Sequence, residues 1–436
     1  MKRVLVISYY WPPSGGSGVQ RWVKFSKYLP AHQWQPVIYT PENPESVAID
    51  HTLEKDIPTE AEILRTRIFE PYETYRKLTG KKASNVVNPI SSGKKSPVAR
   101  LALWVRANLF VPDPRITWVR PSVKYLKKYL KEHPVDAIVS TGPPHSMHLI
   151  ARALAKSTGI LWVADFRDPW TNMFFFKHLP LGSLARRRQY RLEEKVLRDA
   201  DAIISVSPLV AEEFREMTDT PVYMITNGYD EDDYRGEDCV AQPARDGKFR
   251  IVHTGLFAAD GNPLTLWKVL ADKCREDAAF SEAMSLELIG KTDAEIISAI
   301  RSAGLGDYLS APGYLSHEET VRRQREASML ILPLRREPEY RKVLPGKIFE
   351  YLASRRPVLQ IGEPEGAAAS IIGSVNAGVC ADWEDYSTLR AYVDNLWERF
   401  RSGEDLAETG DIERYSRRCT TASLAALLDT LSTEKM

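Results

Sequence analysis

Short runs of β-branched and other apolar residues alternate along the chain with segments whose apolar positions recur every three to four residues. In the first half the runs are Arg3–Ser8, Pro36–Thr40, Ile63–Ile68, Asp136–Thr141, Leu161–Phe166, Ala202–Ser207 and Val222–Thr226. Most are apolar at consecutive positions, as strands covered by helices on both faces are. Between them, Val19–Leu29 and Leu149–Lys156 carry helical spacing. The alternation predicts parallel strands joined by crossover helices, a doubly wound α/β sheet. A break follows at Asn227–Lys248, which is acidic, bears glycine and is poor in large apolar residues, as a linker is. Beyond it the alternation restarts with runs at Arg250–Thr254, Leu286–Ile289, Leu309–Pro312, Met329–Leu334, Pro357–Ile361 and Val379–Ala381. Helices are predicted at Pro263–Cys274, Asp293–Arg301, His317–Glu326, Lys347–Ala353 and Asp385–Arg399, with further helix from Leu406 to Leu431. The chain therefore reads as two Rossmann-like domains, residues 1–230 and 231–410. A helical tail, 411–436, is expected to pack back toward the first.

Composition narrows the class of protein. A chain of 436 residues with 43% hydrophobic and 27% charged residues resembles ordinary globular domains and sustains two cores. The opening MKRVLVISYY lacks the long apolar core and small-residue cleavage site of an export signal, and reads as a buried strand. No run of about 18 apolar residues suggests a bilayer span. Cys239, Cys274, Cys380 and Cys419 fit neither a disulfide framework nor a zinc spacing, so a cytoplasmic, reducing compartment is expected.

A net charge of +1 argues against a whole-molecule polyanion or nucleic-acid binder. The charge is uneven, however. From Arg76 to Lys131 there are fourteen Lys or Arg against one acid, Asp113, with Trp104, Phe110 and Trp118 among them. One reading is a solvated, partly helical insertion. The other is a patch, including Lys94, Lys95, Lys127 and Lys128, that meets anionic phosphates of a lipid-linked or polysaccharide acceptor. In that case the protein sits peripherally at the inner membrane face.

Three segments carry candidate chemistry. Pro12–Pro13–Ser14–Gly15–Gly16–Ser17–Gly18 follows the first strand and opens a helix at Val19. Gly15 and Gly16 let backbone approach a ligand, and the helix start offers free N–H groups to an anion. No G-x-G-x-x-G register runs through it, and a tight turn with no ligand is the structural alternative. The second segment is Leu344 to Ala353, in which Pro345–Gly346 opens a helix. Lys347 supplies charge for a pyrophosphate, and Glu350 can accept two hydrogen bonds from vicinal hydroxyls. The alternative is an amphipathic helix with Glu350 merely solvated. The third is Ala164–Asp165–Phe166–Arg167–Asp168–Pro169–Trp170, at the carboxyl end of a strand, where open α/β sheets bind ligands. Asp165 and Arg167 there can orient an acceptor hydroxyl and take its proton, or simply tie a loop to its neighbour. His145 follows the preceding strand and can face the same place, with His148 at a helix start. Asp199–Ala200–Asp201 and Asp230–Glu231–Asp232–Asp233 resemble metal motifs by chance, and no His/Cys cluster has zinc spacing.

The run VLPGKIFEYLASRRPVLQIG resembles the donor-binding segment of the retaining glycosyltransferases of family four, which have the GT-B fold. In that family the second Glu of an E-x7-E motif grips the nucleotide ribose. Glu350 matches it, and Pro357–Val358 match the following strand. Tyr9–Gly18 resembles the family's N-terminal glycine loop, and Asn227–Gly228 its entry to the second domain. Gly255 resembles the glycine after that domain's first strand, and Gly313–Tyr314–Leu315–Ser316 the loop that brackets the base. Lys342 stands eight positions before Glu350 in place of Glu, with Glu337 and Glu339 nearby. Leu256 and Phe257 follow Gly255 where an Arg and a Lys are frequent, Lys268 being the next basic residue. Arg167 takes the place of the usual first-domain His. The resemblance implies a GT-B fold with two Rossmann-like domains facing a central cleft. It implies a donor site made by Gly15, Gly16, Gly255, Tyr314, Gly346, Lys347 and Glu350, and transfer to an acceptor hydroxyl with retained configuration and neither metal nor cofactor. The acceptor belongs to cell-surface polysaccharide or glycolipid synthesis in this reading. Two alternatives remain open: a nucleotide-sugar 2-epimerase and a non-catalytic nucleotide-sugar binding protein.

Overall fold

The structure, a computed structural model, describes residues 1–45, 49–70, 97–234, 246–407 and 410–435. The chain divides into two compact units, Met1–Thr226 with Arg417–Met436, and Asn227–Ser416.

The first unit is built on a seven-stranded, all-parallel sheet. Its strands are β1 (Lys2–Ile7), β2 (Trp34–Pro41), β3 (Glu62–Thr66), β4 (Ala137–Gly142), β5 (Leu161–Phe166), β6 (Ala202–Ser205) and β7 (Val222–Met224), in the order β3-β2-β1-β4-β5-β6-β7. Consecutive strand residues point to opposite faces, so an uninterrupted apolar run feeds two cores. Leu5 and Ile7 enter one core with Trp118, Leu126, Met147 and Trp162. Val4 and Val6 enter the other with Trp22, Phe25, Trp34 and Leu428.

The helix Arg417–Lys435 belongs to this unit through Leu424, Leu427, Leu428 and Leu431, spaced to form one apolar stripe. The expected helix from Leu406 is corrected here. Residues 404–407 and 410–412 are not helical, and the short turn Glu413–Tyr415 precedes Arg417. Gly410 donates its amide to the Val375 carbonyl at 2.7 Å, an extended contact that a helix would remove. The strand expected to reach Ile68 ends at Thr66, because the Ile68 amide leaves the ladder for Asn43 Oδ1 at 3.1 Å.

The second unit repeats the plan with six parallel strands: β8 (Phe249–Thr254), β9 (Met284–Ile289), β10 (Leu309–Gly313), β11 (Met329–Pro333), β12 (Val358–Ile361) and β13 (Gly378–Ala381). Their order is β10-β9-β8-β11-β12-β13. Its observed helices Leu264–Glu276, Ala294–Ser302, His317–Glu326, Lys347–Ser354 and Tyr386–Arg401 coincide with the predicted ones to within two residues. The helices Pro97–Leu109, Ile116–Glu132, Ser183–Asp199, Pro208–Met217, Ala278–Ala283 and Ala367–Ser374 are additional to those predicted. In each unit the strand order turns outward from one central pair, β1/β4 in the first and β8/β11 in the second. Ligands of open α/β sheets bind beyond the carboxyl ends of such a pair.

Candidate functional site

At the β1/β4 pair the first unit has a cavity of about 510 Å³. Its walls come from Gly15 and Gly16 after β1, Pro143 to His145 after β4, and Arg167 and Trp170 after β5. Gly16 lies at φ 111°, ψ 163°, directly before the helix Ser17–Tyr28, a conformation that favours glycine. At Gly18 a Cβ would meet the Arg167 guanidinium, so glycine there leaves that side chain its place. Arg167 Nε donates to the Gly142 carbonyl at 3.3 Å and Nη2 to the Pro143 carbonyl. The arginine is thus held across the loops after β4 and β5. Burial lowers its pKa, partly offset by Asp168 and then Asp165.

The expected partnership of Asp165 and Arg167 is corrected by the structure. Asp165 is fully buried and paired with Arg21, which is also fully buried, at 2.8 Å. Its carboxylate also accepts from Trp22 Nε1 and Thr141 Oγ1, each at 2.8 Å. Arg21 continues to the Ile225 and Thr226 carbonyls at 2.9 and 2.8 Å, tying β5 to the end of the unit. Burial by itself raises the Asp165 pKa, but Arg21, Trp22 and Thr141 bring it below the ordinary carboxylate value. A carboxylate so satisfied and so shielded holds structure. It is not placed to accept a substrate proton.

His145 does line the cavity. Its ring stacks on Trp170 at 4.5 Å with an interplanar angle of 3°, and its Nδ1 is buried without a hydrogen-bond partner. Burial, followed by the nearby His148 and Arg167, pushes its pKa well below the usual histidine range, so the ring is neutral. His148 is buried beneath it, paired through Nδ1 with Ser140 Oγ at 2.8 Å, and its pKa falls to about 3 by desolvation. Lys127 and Lys128 are exposed on the helix Ile116–Glu132. Twelve residues of helix separate Lys127 from the cavity-lining Arg115, roughly 18 Å along the axis. Lys94, Lys95 and Cys239 lie outside the described residues. Asp199 is bound to Arg152 and Lys156, and Asp201 to Lys435, so the apparent metal motif is a set of ion pairs.

At the β8/β11 pair of the second unit the arrangement is different. Gly255, directly after β8, lies at φ 91°, and a Cβ there would come 3.4 Å from Lys347 Cε and Nζ. The Lys347 ammonium sits 3.0 Å from His253 Nε2 and 3.4 Å from the Leu256 carbonyl. His253 is buried, and its pKa is driven well below the usual value by desolvation and then by the Lys347 charge. The neutral imidazole therefore accepts through Nε2, which assigns its proton to Nδ1. Desolvation lowers the Lys347 pKa to about 8, with Glu350 acting in the opposite direction.

Lys347 opens the helix Lys347–Ser354 after Gly346, and Glu350 stands in its first turn. The Glu350 carboxylate accepts from Gln324 Nε2 at 3.3 Å, and Tyr234 donates to the Glu350 backbone carbonyl at 3.2 Å. Gly290 crosses close beneath: a Cβ there would lie 2.6 Å from the Gly255 carbonyl. The Gly290 amide in turn donates to the Gly313 carbonyl at 2.7 Å, which places Tyr314, 89% exposed, on the adjoining loop. Lys268 does not join this group. It is on the helix Leu264–Glu276, paired with Asp272 at 2.7 Å.

Sequence reasoning left out His253, Gln324, Tyr234 and Arg21. A polar His253 at the end of the buried run before Gly255 was the available signal. Nothing local distinguishes Arg21 on its helix.

Two doubly wound parallel sheets, each with glycine loops and cationic side chains at its central strand pair, define a two-domain α/β protein of the GT-B class. Residues 16–233 match the family model described as Glycosyltransferase Family 4, and the chain belongs to that family. The match covers most of the first unit, runs just past Thr226 into the second, and ends before the segment around Lys347. Among solved structures, a sucrose-phosphate synthase from Thermosynechococcus elongatus is similar with a TM-score of 0.57 at 15% identity, covering 100% of this chain and 97% of that one. The apo form of the lipopolysaccharide outer core galactosyltransferase WaaB gives 0.57 at 12%, covering 100% of both chains. A putative UDP-N-acetylglucosamine 2-epimerase from Listeria monocytogenes gives 0.56 at 10%, covering 99% of this chain and 97% of that one. At such identities the likeness is one of fold. No curated protein sequence matches significantly. Among the described residues no helix is long and apolar enough to cross a membrane.

Proposed function

We propose that the protein moves a glycosyl unit from a nucleoside diphosphate sugar to an acceptor hydroxyl, the second unit holding the donor and the first the acceptor. The observation that carries this reading is the Lys347 ammonium, held beside Gly255 by the buried neutral ring of His253. An ammonium next to a helix start and an open glycine loop is suited to a diphosphate. Glycosyl transfer leaves negative charge on that diphosphate as the sugar departs. Pre-aimed N–H groups at Gly346–Lys347 and the Lys347 charge stabilise it without reorganising. Glu350, with one oxygen engaged by Gln324, offers its other oxygen to ribose hydroxyls.

In the first unit the cavity offers stacked His145 and Trp170 and the pinned Arg167. A sugar's C–H face suits the aromatic wall, and Arg167 suits an anionic or hydroxyl-bearing acceptor. His145 lines the cavity beside Arg167, and its neutral ring can meet an acceptor there and help to position its hydroxyl. Transfer with retention, without a metal or cofactor, to a lipid-linked or polysaccharide acceptor completes the proposal, with the protein in the cytoplasm.

Product analysis with a panel of nucleoside diphosphate sugars tests the chemistry. The proposal expects sugar transfer only when an acceptor is added, and loss of turnover in His145→Ala. Rearrangement of the donor sugar with no acceptor present would establish an epimerase instead. Nucleotide binding with no turnover on any acceptor would leave a binding protein.

A further inference from the structure

The helix Pro97–Leu109 has apolar residues on two sides. Leu103 and Ala107 are buried, and Ala107 joins the wall of the first unit's cavity. Away from that side Leu101, Trp104 and Leu109 stand 62%, 48% and 64% exposed. Their spacing, with half-exposed Val105 between, lays them along one stripe of the helix.

A second helix, Ser183–Asp199, packs against the first. The join is specific. Asn108 donates through Nδ2 to the Pro180 carbonyl at 2.8 Å and accepts through Oδ1 from the Gly182 amide at 2.7 Å. Leu184, 81% exposed, is therefore set near the end of the apolar stripe. The same helix turns Arg187, Arg188 and Arg191 to solvent, Arg191 standing four and three residues from the other two and so on the same face. Singly exposed leucines are ordinary on a protein surface. Four large apolar side chains on two pinned helices, bordered by three arginines, form a patch with both halves of an interfacial surface.

We propose that the helices Pro97–Leu109 and Ser183–Asp199 form a docking surface for an anionic lipid bilayer. Apolar side chains enter the boundary between headgroups and acyl chains, while arginines pair with lipid phosphates above it. The combination favours a bilayer over an acidic polymer, which would use the arginines and leave Leu101, Trp104, Leu109 and Leu184 in water. Lys127 and Lys128, on another helix, supply charge without such a stripe. The cavity shares Arg106 and Ala107 with the first helix and Gln189 with the second, so docking would bring it to the membrane surface. The proposal stands apart from the transferase reading, because bilayer binding is measured with no donor and no turnover.

The test is sedimentation of the full chain with vesicles of phosphatidylcholine, alone and mixed with phosphatidylglycerol. The proposal expects binding to the mixed vesicles, weakened strongly by high salt. It expects a loss of about tenfold or more in Leu101→Ser/Trp104→Ser and again in Arg187→Glu/Arg188→Glu/Arg191→Glu. All the replaced side chains face solvent, so unfolding is not expected; an unchanged melting temperature checks this, and the single variant Trp104→Ser serves if a multiple variant fails to fold. Three results would overturn the proposal: no binding to the mixed vesicles, equal binding to neutral ones, or arginine-dependent binding that the apolar replacements leave intact.

Discussion

The two units share a topology but differ in what they place at its centre. Both are all-parallel sheets that reverse strand order at one pair, and both have a glycine loop after the first strand. In the first unit the charges at that place are spent internally. Asp165 is locked to Arg21, Arg167 is fastened to two carbonyls, Arg115 is paired with Glu45 and Asp113 accepts from Ser146, beside the proline, aromatic rings and neutral His145 of the cavity wall. In the second, the buried His253 supports an ammonium rather than neutralising it, and Lys347 stays at the loop with its charge available near neutral pH. The fold supplies two equivalent places for a ligand, and a few residues at the strand ends decide which suits an anion and which an apolar or sugar surface.

The comparison can be broken or sharpened by substitution. The largest effect belongs to the first unit's internal charge pair. Asp165→Ala leaves the Arg21 guanidinium buried and uncompensated, and should destabilise the protein by about 3–5 kcal/mol in chemical denaturation. A catalytic Asp165 would instead lose turnover and keep its stability.

A smaller effect separates the units by pH. Lys347 must be protonated to hold a diphosphate, and its pKa lies below the ordinary lysine value. Affinity for a nucleoside diphosphate should therefore fall as pH rises through about 8. At pH 9 about a tenth of the protein would carry the charge, a loss of roughly tenfold by titration calorimetry. Lys347→Met should flatten the profile. Glu350→Gln keeps the size of the side chain but weakens acceptance from ribose hydroxyls, and should reduce nucleotide affinity by about fivefold, near 1 kcal/mol. The same change should leave affinity for a deoxyribose nucleotide less affected.

The smallest effect is expected at Lys127 and Lys128. Both are exposed and far along their helix from the cavity, and reversing their charge should change stability by less than about 0.5 kcal/mol. It should also cost less vesicle binding than reversing Arg187, Arg188 and Arg191.

Much of this architecture is legible in the chain, because buried parallel strands need continuous apolar runs and the runs are there. The helix His317–Glu326 has the predicted bounds because Ser316 caps it, accepting from the Glu319 amide at 3.2 Å, and acidic residues fill its first turn. Ser183–Asp199 is harder to read. Its solvent face is so rich in arginine that Ala185, Leu192, Val196 and Leu197 scarcely register as a stripe.

The candidate site divides in the same way. Gly255, Lys347 and Glu350 are visible as a resemblance because each lies in a short local motif. His253 as the partner of Lys347 is not, since ninety-four residues separate them. The neighbourhood of Asp165 and Arg167 in sequence misleads for a related reason. The shorter path to a counter-charge runs through space to Arg21, and alternation along a strand end says nothing about it.

The central claim is that the second unit, through Lys347, holds the diphosphate. Thermal unfolding with saturating nucleoside diphosphates tests it most directly, in the native protein, Lys347→Met and Arg167→Met. A ligand at a hundred times its dissociation constant adds about 2.7 kcal/mol, a clear rise in melting temperature. The account predicts that rise in the native protein and in Arg167→Met, and its loss in Lys347→Met. A rise that survives Lys347→Met and disappears in Arg167→Met would put the anion in the first unit and contradict the account.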